Sequence, residues 1–169
     1  MRIDTSDLKM SQFLEQLPKG AFLTVQDRQG RVNTMTIGWG ATGIVWSKPA
    51  LMVMVRKSRY TYQLINDADS FTISLPLNGQ LKKELGLCGT KSGRDYDKFK
   101  EFGLTVSPGR ETTSPVVAGC DLYCECRLLY QQSMDLQQLN GAVRDKWYAD
   151  QDYHTMYYGE IVAFYRRDD

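Results

Sequence analysis

Two short basic segments carry the residues best suited to chemistry. Arg56-Lys57-Ser58-Arg59-Tyr60-Thr61 follows an apolar run and opens a helical pattern. Two guanidinium groups, the Ser58 and Thr61 hydroxyls and backbone N–H groups can therefore converge there on one anion. Cys88-Gly89-Thr90-Lys91-Ser92-Gly93-Arg94 is a second polar, basic stretch, and its glycines permit the positive φ and close backbone approach that a phosphate nest needs. It lacks the GK[ST] spacing of a Walker loop. Either segment alone also reads as a solvated charged turn. Two of them beside an apolar strand in one small chain point to a phosphorylated ligand.

Asn33 to Trp39 (NTMTIGW) is an unusual strand, with Thr34, Thr36 and Gly38 on one face and Met35, Ile37 and Trp39 on the other. A small polar face next to glycine lets a flat ring approach the backbone and hydrogen-bond along its edge; a two-sided strand in an ordinary sheet is the plain alternative. Gly38 to Gly43 spells the dinucleotide fingerprint GxGxxG, but Ile44-Val45-Trp46-Ser47-Lys48-Pro49 follows it. That continuation is too β-branched and too soon broken by proline to be the required helix, and Arg56 to Arg59 stands where the ribose-binding acid belongs. The single histidine, His154, removes every metal site built on two imidazoles. It starts a strand beside tyrosines, and Asp150 and Asp152 just before it are placed to hold it or raise its pKa. Cys120, Cys124 and Cys126 share a strand face with Leu122 and Leu128, so core packing is expected of them, and no metal.

These residues need a frame. The chain has 169 residues, 42% hydrophobic and 24% charged, with a net charge of +1, which fits one domain over 1–169. Near-zero charge argues against a nucleic-acid coat, despite 11% aromatic residues. No apolar run approaches the roughly 20 residues of a membrane span, and the N-terminus lacks a secretory pattern, so a cytoplasmic location is expected. A helix is predicted over Ser6 to Leu17, then a hairpin of Gly20 to Val25 and Val32 to Gly40, and an apolar strand from Leu51 to Val55. Ser58 is placed to cap a helix through Ile65, and Ser70 to Leu75 is the next strand. Gln80 to Leu87 reads as a helix that stops at the second basic loop, and Asp95 or Asp97 starts another short one. Val106 to Pro115 reads as loop, and Ala118 to Tyr130 and His154 to Tyr165 as long strands. Strands with short helical inserts suggest an antiparallel barrel.

Taken together, LPKGAFLT (Leu17 to Thr24), NTMTIGWGATGIVWSKP (Asn33 to Pro49), VRKSRYT (Val55 to Thr61), CGTKSGRDYDKF (Cys88 to Phe99) and DYHTMYYGEI (Asp152 to Ile161) resemble the flavin reductase-like family of FMN-binding split barrels, in particular its flavoredoxin-type branch. The resemblance runs through nearly the whole chain. It implies a mainly β fold, an antiparallel split β-barrel of Greek-key type with short helical inserts, and a homodimer with FMN close to its interface. Met35, Thr36, Ile37, Gly38 and Trp39 are then expected along the isoalloxazine. Arg56, Ser58, Arg59, Tyr60 and Thr61 are expected at the ribityl chain and phosphate, with Cys88, Gly89, Ser92 and Lys98 from the second segment. His154 falls where a nicotinamide can stack and is the candidate catalytic residue. The activity implied is that of an FMN-dependent oxidoreductase, reducing flavin with NAD(P)H or exchanging electrons with a protein donor or acceptor; the alternative is a flavin-binding or electron-carrier protein without turnover. The flavin carries such chemistry itself, so no nucleophile triad is needed, and none is visible. Neither nucleic acid nor membrane is an expected partner.

Overall fold

The computed structural model describes Phe13 and residues 15–167. The helix expected over Ser6 to Leu17 lies largely outside the described residues; Glu15 and Gln16 are helical and lead into a 3-10 turn at Leu17–Lys19. Strands β1 (Ala21–Gln26) and β2 (Val32–Ile37) form the expected hairpin, in the register Ala21 to Ile37. A second hairpin follows at once, β3 (Gly40–Val45) with β4 (Lys48–Arg56). Helix α1 (Tyr60–Ile65) then leads to β5 (Ser70–Leu75). Helices α2 (Lys82–Thr90) and α3 (Lys98–Phe102) come next, then the two-residue strands β6 (Val106–Ser107) and β7 (Val116–Val117). The long β8 (Leu122–Ser133), α4 (Gly141–Trp147) and β9 (His154–Arg166) complete the chain.

Seven strands make one antiparallel sheet in the order β2-β1-β5-β8-β9-β4-β3. The first and last strands of that order, β2 and β3, are consecutive in sequence and joined only by Gly38 and Trp39. The sheet must therefore curl until its two edges return to one point of the chain. The result is a barrel split between β2 and β3, and the non-sequential neighbours β1–β5 and β4–β9 give it the Greek-key order.

Alternation divides the core in two. Leu23 and Val25 of β1 point into the main cluster with Leu51, Val53, Ile73, Cys124, Cys126 and Tyr157. Phe22 points the other way, into a smaller cluster with Leu85, Cys88, Val117, Cys120 and Tyr123 that α2, α3 and the β6–β7 pair cover.

Several expectations need correction. The run Val32 to Gly40 is broken after Ile37 and resumes at Gly40 as the edge strand β3, which places Gly40–Gly43 of the fingerprint in a strand and not before a helix, in keeping with its rejection as a dinucleotide motif. A Cβ at Gly40 would sit 2.8 Å from the Met52 carbonyl, so glycine is required by the close approach of β4. Strand β8 starts at Leu122 because Gly119, at φ +85°, turns the chain before it. Cys120 thus leaves the face of Cys124 and Cys126 and joins the smaller cluster. On the opposite face of β8, Tyr123 and Glu125 are buried as well. Val106–Ser107 is a strand rather than loop, and α2 runs on through Thr90.

Candidate functional site

The seam of the barrel opens a cleft of about 180 Å³ lined by Met35, Thr36, Ile37, Gly38 and Trp39, with Met54, Arg56, Arg59 and His154 facing them from β4, the loop after it and β9. Strand β2 ends the sheet order, so backbone groups on its outer edge have no neighbouring strand. The polar face read from Thr34 and Thr36 is spent inward. Thr34 is fully buried, accepts from the Thr24 hydroxyl at 3.0 Å and donates to the Leu23 carbonyl; Thr36 donates to the Leu85 carbonyl and ties β2 to α2. What β2 offers a flat ligand is its backbone edge and Met35.

A second cleft, of about 110 Å³, adjoins the first and shares Met35 and Arg59 with it. Its walls are Ser58 to Thr61, Asn33, and the segment Cys88 to Arg94 with Lys98. The cations Arg59, Lys91, Arg94 and Lys98 line it together with no carboxylate. Lys98 is 4% exposed and donates to the Thr34 and Cys88 carbonyls at 2.9 and 3.0 Å. No carboxylate is among the partners of this buried ammonium, and one of its three N–H groups remains. Burial pushes its pKa down, which is the penalty an anion in the cleft would relieve. Thr61 accepts from Asn33 Nδ2 at 2.8 Å and Ser92 accepts from the Arg94 N–H, so each keeps its own hydroxyl proton to donate. Gly93 packs so tightly that a Cβ there would lie 2.2 Å from Asn33 Oδ1.

The two basic segments therefore meet, but not every residue serves as its spacing implied. Arg56 lines the strand cleft, not the basic one, and its guanidinium is held by α4 and the loop after it. It donates to both Asp150 carboxylate oxygens, at 3.2 and 3.0 Å, and to the Asp152 and Trp147 carbonyls at 2.9 Å each. Ser58 does not cap α1, whose N-cap is Arg59 without a side-chain bond; its hydroxyl donates to Asp152 Oδ2 at 2.6 Å. Arg59 reaches the Gly89 carbonyl across the basic cleft at 3.3 Å, and Tyr60 carries the Arg94 guanidinium over its ring at 5.6 Å. Cys88 is buried with its thiol pushed up to about 11, so it contributes its carbonyl rather than a thiolate.

His154 is also corrected. The expected carboxylates are engaged by Arg56 and Ser58, and the imidazole pairs instead with Tyr148, at 2.8 Å between the hydroxyl and Nδ1. Burial, aided by the nearby Arg56 charge, lowers its pKa to about 4, so the ring is neutral at pH 7. This pairing engages Nδ1 and leaves Nε2 with no hydrogen-bond partner among the described residues. The ring lies 5.4 Å from Trp39, and Trp39 meets Trp147 edge-to-face at 4.9 Å. Trp147 and Tyr148 escape a reading of the sequence that assigns no element between Tyr130 and His154, and Met54, read only as part of the apolar strand Leu51 to Val55, escapes as a site residue. The available signal is Asn140-Gly141 before AVRDKW, since Asn140 accepts from the Ala142 N–H as a helix cap.

A model of the flavin reductase-like domain matches residues 14–169. The chain is 26% identical over 130 residues to an uncharacterized protein of Archaeoglobus fulgidus, covering 77% of this chain and 63% of that one, so it spans less than two thirds of that relative's length. It is similar to the flavoredoxin of Desulfovibrio vulgaris, with 27% identity, a TM-score of 0.70, and coverage of 88% of this chain and 69% of the other. A split-barrel domain protein of Shewanella frigidimarina shares the fold at 18% identity and TM-score 0.70, over 100% of this chain and 81% of that one. With the family model spanning nearly the whole sequence, this chain belongs to the flavin reductase-like family.

Proposed function

We propose that this protein binds FMN and works as an FMN-dependent oxidoreductase, with NAD(P)H as the electron donor. The observation that carries the reading is the pair of joined clefts: a slot along a free strand edge, continuous through Met35 and Arg59 with a pocket holding four cations and no carboxylate. That order, flat slot and then anion pocket, fits an isoalloxazine followed by a ribityl phosphate. Bound flavin supplies the capacity to take up hydride or single electrons. Everything else falls to the chain. Lys98, Arg59, Ser92 and Thr61 supply phosphate donors, and the outer edge of β2 supplies hydrogen bonds to a ring. Trp39 and Trp147 shield the slot from water, and His154 presents a neutral imidazole beside it, with Nε2 unpartnered. A neutral imidazole cannot act as an acid from its cationic form at pH 7, so His154 orients the donor rather than protonating it.

The likeness to a flavoredoxin favours a second reading, an electron carrier that exchanges electrons with a protein partner. Anaerobic mixing with NADH separates the two. Loss of the yellow flavin absorbance in the purified protein within seconds supports the reductase, whereas a flavin that stays oxidised with NADH and NADPH alike supports the carrier. Colourless protein that takes up no added FMN overturns both.

The working form in this proposal is a homodimer. Ile44 and Trp46, at the β3–β4 hairpin, are 71% and 65% exposed, and Trp46 meets Tyr130 edge-to-face at 6.0 Å. These residues extend an apolar patch beside the outer edge of β3, which has no strand partner among the described residues, and a second copy would cover both. Among the described residues no helix is long and apolar enough to cross a membrane.

A further inference from the structure

Arg56 and His154 stand opposite each other across β4 and β9, and the segment from α4 to Tyr153 reaches both. Of residues 131–153 only Tyr148 is buried, at 3% exposure. Its ring lies 5.4 Å from the Arg56 guanidinium and stacks with Tyr153 at 5.4 Å. A phenylalanine would bury the same ring. The hydroxyl adds one contact, to His154 Nδ1 at 2.8 Å, and has no other partner among the described residues. Burial raises the Tyr148 pKa and lowers that of His154, so both groups are neutral at pH 7. Two proton arrangements then satisfy the contact, and they are not equivalent. With the imidazole proton on Nδ1, the phenol proton is left without an acceptor on an almost wholly buried residue. With it on Nε2, the phenol donates to Nδ1, and the remaining N–H sits on an atom that is not sealed in. Every buried side-chain nitrogen and oxygen among the described residues has a partner, whereas Nε2 has none. His154 lines the slot, so Nε2 opens there.

We propose that Tyr148 is a positioning residue for His154: its hydroxyl donates to Nδ1, fixes the orientation of the ring and keeps the imidazole proton on Nε2, where it meets a carbonyl oxygen of the electron donor. This rests on the reductase reading and names what the slot selects, a donor whose reactive ring carries a hydrogen-bond acceptor, as a carboxamide does. Tyr148 reaches His154 because α4 ends there, with the chain turned out of the helix at φ −134°. The contacts of Arg56 with Asp150 and of Ser58 with Asp152 hold the loop that follows, so the state of the imidazole depends on that segment being seated.

The chain has one histidine, so nitrogen NMR of isotope-labelled histidine reads this imidazole alone. In the full FMN-loaded chain at pH 7, Nε2 should resonate as an N–H nitrogen and Nδ1 as a bare one. Tyr148→Phe, which keeps the ring and removes the hydroxyl, should draw the two signals toward a common average. It should also raise the apparent KM for NADH or NADPH about threefold to tenfold, with kcat and FMN affinity within about twofold of wild type. A Tyr148→Phe chain that keeps either the wild-type nitrogen signals or the wild-type KM would make Tyr148 a packing residue and overturn the proposal. Should that variant fail to fold, the wild-type spectrum still decides, since a proton on Nδ1 overturns the proposal by itself. Flavin that neither NADH nor NADPH reduces would overturn the reductase reading, and the role toward the donor with it. A wild type that turns over with its proton on Nδ1 would overturn this inference and leave the reductase reading standing.

Discussion

In the proposed function, the anion pocket depends on Lys98. Its ammonium is buried and held by two carbonyls, a setting that is costly until a negative charge arrives. Lys98→Met should weaken FMN by about tenfold to a hundredfold, the 1.5–3 kcal/mol of a charged hydrogen bond, and leave riboflavin nearly unchanged. Equal losses for the two flavins in a fluorescence titration would remove the phosphate from this pocket. Arg56, by contrast, is engaged by Asp150 and by the Trp147 and Asp152 carbonyls, so Arg56→Ala should disturb the slot and its cover more than the phosphate. His154 gives a pH signature. Its folded pKa, about 4, lies below the roughly 6.5 of an unfolded histidine, so below pH 6.5 the unfolded chain binds the proton that the native state refuses. Its contribution is intact above about pH 6.5 and declines as pH falls toward 4. Thermal melts between pH 7 and 4.5 should show this decline in the wild type and a flatter course in His154→Asn; parallel curves would mean that the imidazole is not buried neutral. With turnover established, the same variant should raise the apparent KM for NAD(P)H and spare FMN affinity.

At the scale of elements, α4 and the loop after it act as a strap across the slot. None of the residues of α4 is buried, so the strap is held by Trp147 on Trp39, by the buried Tyr148 just after the helix on His154, and by the Arg56 and Ser58 contacts to Asp150 and Asp152. A helix without a buried face has little of its own to hold it. Replacing both Asp150 and Asp152 with Ala should speed amide exchange over residues 141–153 and quicken proteolysis there, with β1 and β5 unaffected. Protection that stays level would place the strap's stability elsewhere. A second device fixes the segment between β6 and β7. Glu125 is fully buried on β8 and accepts from the Arg110, Glu111 and Thr112 N–H groups, the Thr112 hydroxyl and the Tyr165 hydroxyl. Burial alone would raise its pKa, but these bonds outweigh it and hold the carboxyl below its ordinary value. Glu125→Gln removes the charge and points an NH2 at donors, so about 2–3 kcal/mol of stability should be lost in urea melts.

At the scale of the whole molecule, the split barrel places the two joined clefts at the seam and leaves β3 and its hairpin exposed. Trp46 and Ser47 form a two-residue turn with φ of +50° and +59°, the positive values that tight hairpins favour, and this turn holds Trp46 outward. If that face is the dimer contact, Trp46→Glu should shift sedimentation at micromolar concentration from dimer to a 19.3 kDa monomer while keeping the melting temperature of the monomer fold. A wild-type chain that sediments as a monomer with FMN fully bound would sink the dimer proposal.

The strands, the two basic segments and the lone histidine were legible in the sequence because they depend on local rules: period-two alternation, glycine where the chain must turn, and clustered charge. The same rules fail where a partner distant in sequence decides. Ser58 has the form of a helix cap, yet Asp152 takes its hydroxyl, from 94 residues away. Arg56 has the spacing of a phosphate ligand, yet Asp150 and two strap carbonyls take its guanidinium. The aspartates before His154 belong to that exchange, so the imidazole is left to Tyr148 and to burial, which lowers the pKa that neighbouring carboxylates would have raised. Residue types and their order along the chain set what chemistry was possible. Only the closing of the barrel, which brings β2, β4, β9 and the strap to one seam, decided which charges were already paired and which were left for a ligand.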